Sequence, residues 1–341
     1  MPSNHAPDLA EKVAYLRRPD AFPDAPDSVD VIETHFAWVF LSKQYAYKLK
    51  KPVRFRDFDL TTRQARRANC ELEIALNRRL AAETYIGVVP LGRDGPRLLL
   101  ESGENPVDWL VKMRRLPREA ALERLLPGIH ASDPRLVRLI DTLCTFYGRT
   151  SPAPWSGADY RHSLNRRSIR YATELTHATP SLDDALVRRI AAMQASFVDN
   201  NSDFFDRRII ARRVVDAHGD LRPEHIFFTD DHPQIIDCLE FSAELRQLDA
   251  AEELSFLALE CERLGRPAVR DRLRELYLEA AADDAPERLF AYYRSQQALT
   301  RAALCAWHLA ENLDDQVARR WLEQARWYIA AAESSIGSAS C

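Results

Sequence analysis

The chain has 341 residues with 47 Lys and Arg against 51 Asp and Glu, a formal net charge of -4 and a pI near 6.2. That balance argues against nucleic acid as the main partner, because domains that bind it are usually strongly basic. No run approaches the ~18 apolar residues of a membrane span, and residues 1–23 hold no long apolar core of the signal-peptide kind. Composition is that of an ordinary globular protein, long enough for two lobes. The six cysteines, Cys70, Cys144, Cys238, Cys261, Cys305 and Cys341, form no C-x-x-C pair. Neither a disulfide nor a zinc framework is expected, and the chain reads as cytoplasmic.

In chain order, Leu9 to Arg18 predicts a short helix, and Pro19, Pro23 and Pro26 stop it. Strand patterns follow at Val31-Ile32, Phe36 to Leu41 and Tyr45 to Leu49, with Ser42-Lys43-Gln44 as a turn. Alternation puts Tyr45, Tyr47 and Leu49 on one face of the third strand and Ala46, Lys48 and Lys50 on the other. Lys50, Lys51, Arg54 and Arg56 also allow a solvated basic patch there. From Thr61 to Leu80 the spacing of Leu72, Ala75, Leu76 and Leu80 is helical. Val88 to Leu91 and Arg97 to Leu100 read as a hairpin turning at Gly92-Arg93-Asp94-Gly95, and Trp109 to Met113 as a further strand. Beyond Pro117 the pattern is mainly helical: Arg118 to Leu126, Asp133 to Tyr147 (Asp133 as cap, Pro134 at the first helical position), Ser163 to His177 and Ser181 to Phe197. Further helices are expected at Asp249 to Leu264, Ala268 to Ala282, Pro286 to Asn312 and Gln316 to Ser335.

Between these helical runs lies Val214-Val215-Asp216-Ala217-His218-Gly219-Asp220-Leu221, continuing through His225 to Phe228. Downstream comes Gln234-Ile235-Ile236-Asp237-Cys238-Leu239-Glu240-Phe241. The frame matches a phosphoryl-transfer loop H-x-D-L-x-x-x-N, in which an Asp takes the acceptor proton and an Asn holds metal. Here His225 stands where the Asn is expected. Such transfer needs an aligned hydroxyl and charge neutralisation at the phosphates, so a second acid at the end of an apolar strand, Asp237, suits a metal ligand.

These two segments resemble the aminoglycoside phosphotransferase-like branch of the protein-kinase-like fold, and in particular a bacterial subgroup with HGDL and I-[FI]-D-C-[IL]-E-F motifs. Glu33-Thr34-His35, Trp38 to Leu41, Tyr45 to Pro52, Asn77 to Leu80 and Val111 to Leu116 continue the resemblance in the same order, over roughly residues 25–310. It implies an α+β, two-lobed fold, with a small antiparallel-sheet lobe carrying one helix and a larger, mostly helical lobe. The division is then residues 1–30 as helix and connector, 31–116 as the small lobe and 117–341 as the helical lobe, holding a catalytic loop at 216–228 and a metal segment at 235–241. It implies an ATP-dependent (or other NTP-dependent) phosphotransferase that uses Mg2+ or Mn2+ and a small-molecule hydroxyl acceptor. Asp220 would be the base, with His218 orienting the loop. Lys48 would hold phosphates, positioned by Glu73 or, as second choice, Glu71. Thr34 would lie in the phosphate-covering loop, and Met113 would open the hinge whose backbone binds the base. Asp237 and His225 would hold metal. Asp249 would be a structural aspartate, Asp216 a brace with Arg213 as its partner, and Glu240 either a metal or substrate contact or an ion-pair residue. Some relatives add a P-loop domain. This chain contains no G-x-x-x-x-G-K-[ST], so that activity would belong to a separate partner protein.

His225 keeps other readings open. Imidazole suits manganese or zinc better than magnesium. One alternative is a nucleotide-binding pseudokinase with a regulatory role. Another is a metal-dependent hydrolase using His218, Asp220, His225, His232 and Asp237. For the acceptor, Arg294 and Arg301 with Tyr292, Tyr293 and Trp307 suggest an anionic or sugar-like molecule, against the plainer reading of an amphipathic helix with a solvated basic face.

Overall fold

The computed structural model describes residues 7–55, 58–178, 181–229, 232–309 and 314–340. Arg56, Cys341 and the expected helix end at Asn312 lie outside the described residues. The architecture is α+β. The chain divides into two compact units, one formed by residues up to Leu125 together with Glu224–Leu245, the other by Leu126–Pro223 together with Arg246 onward. The segment 224–245, expected with the helical lobe, thus groups with the sheet.

The first unit is built on a six-stranded antiparallel sheet. Its strands are β1 (Asp30–Glu33), β2 (Ala37–Leu41), β3 (Tyr45–Lys50), β6 (Tyr85–Asp94), β7 (Arg97–Leu100) and β8 (Asp108–Arg114), in the order β1-β2-β3-β8-β6-β7. A small pair, β4 (Arg54–Phe55) and β5 (Phe58–Asp59), precedes helix α2 (Arg63–Ala81). Strand β6 runs through Gly92 to Asp94, so the hairpin turns at Gly95-Pro96, later than its glycine spacing suggests.

Both faces of the sheet are covered. The alternation in β3 holds, and Tyr47 and Leu49 pack with Phe40, Leu91 and Leu110 against Val13, Leu16 and Phe22. Helix α1 (Leu9–Leu16) supplies that cover. Its N-terminus is fixed by a reciprocal Asp8–Glu11 capping box, both bonds 2.8 Å, which satisfies two otherwise orphaned amides. Val13, Leu16, Ala21 and Phe22 are therefore part of this unit's core. On the other face Ala46, Val111 and Met113 meet Cys70, Ile74 and Ala81 of α2 and Tyr85. Thr62 caps α2 through the Ala65 amide (3.1 Å), and Arg78 and Arg79 in its last turn complement the helix dipole. Helix α3 (Leu122–Leu125), the hairpin β10 (Ile226–Phe227) with β11 (Gln234–Ile235), and the short α8 (Ala243–Arg246) complete the unit's elements. The expected helix over Arg118 to Leu126 is broken into 3-10 turns flanking α3.

The second unit is helical. It contains α4 (Pro134–Arg149), α5 (Gly157–Ala178), α6 (Asp184–Asn200), α7 (Ser202–Ile210), α9 (Ala250–Arg263), α10 (Pro267–Ala280), α11 (Glu287–Leu309) and α12 (Asp315–Ser340). Asp133 caps α4 through the Arg135 amide (2.9 Å), with Pro134 at the first helical position. Helix α7 was not apparent in the sequence. A two-stranded ribbon, β9 (Val214–Asp216) with β12 (Gln247–Asp249), ties the run before His218 to the start of α9. Among the described residues, no helix is long and apolar enough to cross a membrane, and five cysteines are free thiols.

Candidate active site

In the first unit the third strand and α2 bring two lysines to one carboxylate. Lys48 Nζ lies 2.9 Å from Glu73 Oε1 and 2.7 Å from Asp237 Oδ1. Lys50, two residues on and therefore on the same face, pairs with the other Glu73 oxygen and with Glu240 at 2.5 Å. Glu73 is fully buried. Burial alone disfavours its charge, but Lys48 and then Lys50 outweigh that, and its pKa falls below the ordinary carboxylate value. Lys48 is likewise disfavoured by burial and then held well above the usual lysine value by Asp237, Glu73 and Glu240. Glu71, the second choice, faces solvent and pairs with Arg67 at 2.9 Å. Glu240 is an ion-pair partner of a buried lysine in this arrangement. Lys50 is no part of a solvated basic patch.

Asp237 is set by the backbone on both sides. Its amide donates to Tyr85 Oη (3.1 Å), the Cys238 amide to Asn77 Oδ1 (2.8 Å) and the Ile236 amide to the His225 carbonyl (2.9 Å). Its own φ is +63°, a left-handed conformation that is uncommon outside glycine and that Asp tolerates better than most residues. The side chain keeps 42% of its exposure, while Lys48, followed by His225, holds the carboxyl far below its ordinary range against the effect of burial. His225 Nε2 is 3.6 Å from Asp237 Oδ2.

Among the described residues no three His, Cys, Asp or Glu side chains gather as a metal site. His232, one of the five residues of the hydrolase reading, is exposed. Asp237 with His225 offers at most two ligands. Magnesium commonly takes one or two carboxylates, with the rest from phosphate and water. The part-open Asp237 carboxylate fits that use.

Two expected contacts are differently employed. The Thr34 hydroxyl accepts from the Ala37 amide (3.0 Å) and closes the β1–β2 turn. Met113, expected to open the hinge, lies within a strand, paired with Ala46 on one side and Tyr85 on the other, and β8 continues to Arg114. The next two amides, of Arg114 and Arg115, are taken by the carbonyls of Thr84 (2.8 Å) and Gln44 (2.9 Å).

In the second unit His218 is fully buried, and Gly219 adopts φ +85°. Glu253 of α9 accepts from both the His218 amide (2.9 Å) and the Gly219 amide (2.7 Å), and from Tyr147 Oη (2.8 Å). The Asp220 amide donates to His218 Nδ1 at 3.3 Å, so that nitrogen is an acceptor and the ring braces the loop. The Asp220 carboxylate is 3.1 Å from Arg222 Nε. Asp216 is braced by Arg246 (2.7 Å) and not by Arg213, which turns to Asp283 (3.6 Å). Asp249 caps α9 through the Ala251 amide (2.9 Å) and takes Arg208 at 2.6 and 2.7 Å. Tyr292 and Tyr293 are interior, and Tyr293 Oη donates to Asp249 (3.0 Å), so neither lines an acceptor site. The basic face of α11 is not solvated either, since the Arg294 and Arg301 side chains are 21% and 14% exposed.

Sequence reasoning missed Glu253, Tyr147, Asn77 and Tyr85. Glu253 sits beside Glu252, which is equally buried and binds Arg167 at 2.8 Å, and nothing in Ala-Ala-Glu-Glu-Leu tells them apart.

No model of a known protein family matches the chain. An uncharacterised protein of Mycobacterium tuberculosis is 32% identical over 286 residues, which are 83% of this chain and 56% of that protein. The chain thus spans about half the length of the curated relatives it matches. Among solved structures, choline kinase from Cryptosporidium parvum superposes with a TM-score of 0.56 at 10% identity over 96% of both chains. A putative aminoglycoside phosphotransferase from Ralstonia eutropha gives 0.54 at 10% identity over 91% of this chain and 92% of that one. A GDP complex of an aminoglycoside 2'-phosphotransferase gives 0.52 at 14% identity over 95% and 98%. The chain has the two-lobed kinase-like fold of these proteins.

Proposed function

We propose that this chain is a nucleotide-dependent phosphotransferase that moves a phosphoryl group to a hydroxyl of a small molecule. One observation carries the reading. A buried strand lysine, Lys48, is shared between a buried helix glutamate, Glu73, and a part-open aspartate, Asp237, on a fold whose solved examples include phosphotransferases and one GDP complex. Lys48 is assigned the nucleotide phosphates and Glu73 the role of holding its ammonium in place. Asp237, with His225 beside it, is assigned the divalent ion, which when bound neutralises charge on the phosphates. Asp220 is assigned the acceptor proton. The acceptor oxygen bonds the γ-phosphorus as the bond from phosphorus to the bridging oxygen breaks. The hydroxyl proton passes to Asp220, and the nucleoside diphosphate leaves. His218 and Glu253 keep the Asp220 loop in shape from behind.

A second reading, nucleotide binding without turnover, is favoured by His225 at the position where the loop pattern has asparagine. Calorimetric titration with ATP in magnesium and in manganese tests both, on wild type, His225→Asn and Asp220→Asn. Metal-dependent binding in all three, with nucleotide turnover lost only in Asp220→Asn, supports the transferase. Binding without turnover in wild type that returns in His225→Asn supports the second reading. No binding with either metal defeats both.

A further inference from the structure

The helical unit contains a cavity of about 780 Å³ between α9, α10, α11 and α12, a volume typical of small-molecule sites. None of the residues assigned to phosphoryl transfer lines it. Leu254, Ala258 and Phe290 give it an apolar floor. Its charged groups do not balance, because four arginines face three carboxylates. Arg270 is held by Asp271 (2.8 Å) and Glu262 (3.3 Å), and Arg274 by Glu287 (3.5 Å).

The other two keep donor groups in reserve. Arg288 is exposed and meets no carboxylate among the described residues, its guanidinium lying 4.5 Å from the centre of the Phe204 ring. Arg294 Nη2 pairs with Glu262 Oε2 at 2.6 Å, on a carboxylate it shares with Arg270, while the buried Arg294 Nε has no hydrogen-bond partner. Burial, with repulsion from Arg270 added, outweighs Glu262 and leaves Arg294 below the ordinary arginine value. A buried donor without an acceptor costs free energy that a ligand can recover.

We propose that this cavity binds a small organic anion, a carboxylate or phosphate monoester, whose oxyanion takes Arg288 and Arg294 and whose apolar part rests on Leu254, Ala258 and Phe290. Binding there requires no nucleotide.

Calorimetric titration of the full chain at fixed ionic strength tests this with citrate, glycerol phosphate and inorganic phosphate as probes, and choline as the cationic control. Wild type is expected to bind at least one anion and not choline. Citrate binding without the phosphates identifies the carboxylate source, and the converse the phosphate source. Arg294→Gln and Arg288→Gln each weaken binding by about tenfold or more, the effect of losing one charge-assisted bond. Arg288 is on the surface, so its variant folds even if the Arg294 variant does not. Failure of every anion to bind better than choline overturns the proposal. So does binding that is unchanged in Arg288→Gln and in any folded Arg294→Gln, since it would then lie elsewhere.

Discussion

Lys50→Met is the most informative single change in the sheet unit. Lys50 is 1% exposed, and the two carboxylates it joins, Glu73 and Glu240, are 0% and 9% exposed as side chains. Methionine keeps the length and apolar stem and removes only the charge. Glu73 then retains Lys48, but Glu240 loses the cation that neutralises it in a nearly dry place. Removing one partner of a buried ion pair costs about 3–5 kcal/mol. Each 1.4 kcal/mol is a factor of ten, so exchange protection in β3 and α2 should drop by about 10² to 10^3.5. Lys48→Met should cost less. Glu73 keeps Lys50 in that variant, and the Asp237 side chain, 42% exposed, is screened by water. Hydrogen exchange read by mass spectrometry on peptides of β3 and α2 makes the comparison without requiring both units to unfold together. Glu240→Gln added to Lys50→Met should restore part of the loss, because the stranded carboxylate is gone. If Lys50→Met costs less than about 1 kcal/mol, or if Lys48→Met costs more, the network does not carry the charge economy argued here.

Three other outcomes are expected. The lysine–carboxylate network should give flat stability between about pH 5 and pH 9: depressed Glu73 and Asp237 lose their contribution only as pH falls through their folded values, and raised Lys48 and Lys50 only as pH rises through theirs. A step inside that window in a denaturation series would contradict it. Glu253→Gln should cost about 1–2 kcal/mol by replacing charge-assisted acceptance with neutral acceptance, and should speed exchange of the His218 and Gly219 amides while leaving those of β3 unchanged. Cys70, buried and pushed up to about 12 by burial, should be labelled at pH 8 at least ~10³-fold more slowly in the native protein than in denaturant, as mapped by mass spectrometry.

The readable parts of the sequence were those governed by local rules. Alternation in Tyr45 to Lys50 set the faces of β3, and the cap at Asp133 marked a real helix start. Glu73 was preferred to Glu71 mainly on the family resemblance, and of the two it is Glu73 that is buried. What could not be read depended on contacts far apart in the chain. Lys48, Lys50 and Lys51 look alike in a row, and the pairing of Lys50 with Glu73 and with Glu240, 190 residues on, is what separates it from a surface neighbour. Leu9 to Leu16 has an amphipathic pattern but no label for its target, which is the sheet face of Tyr47 and Leu49. The end of β8 falls at Arg114, where it pairs with Tyr45, and the nearby Pro117 does not mark it.

Asp237 shows why the segment 224–245 travels with the sheet although sequence order puts it after the helices. Three consecutive amides, those of Ile236, Asp237 and Cys238, are consumed by His225, Tyr85 and Asn77. Asn77 in turn donates to the Glu73 carbonyl (2.9 Å), so the helix that holds the lysines also fixes the aspartate's backbone. A left-handed residue costs on the order of 1–3 kcal/mol and persists only where its surroundings over-determine it. Here they do, and with the backbone spent on these bonds the carboxylate is the group left to act. One of its oxygens holds Lys48 and the other faces His225. Asn77→Ala should therefore weaken the Lys48–Asp237 pair without touching either side chain, read as faster exchange of the Asp237 and Cys238 amides, and unchanged exchange there would refute it.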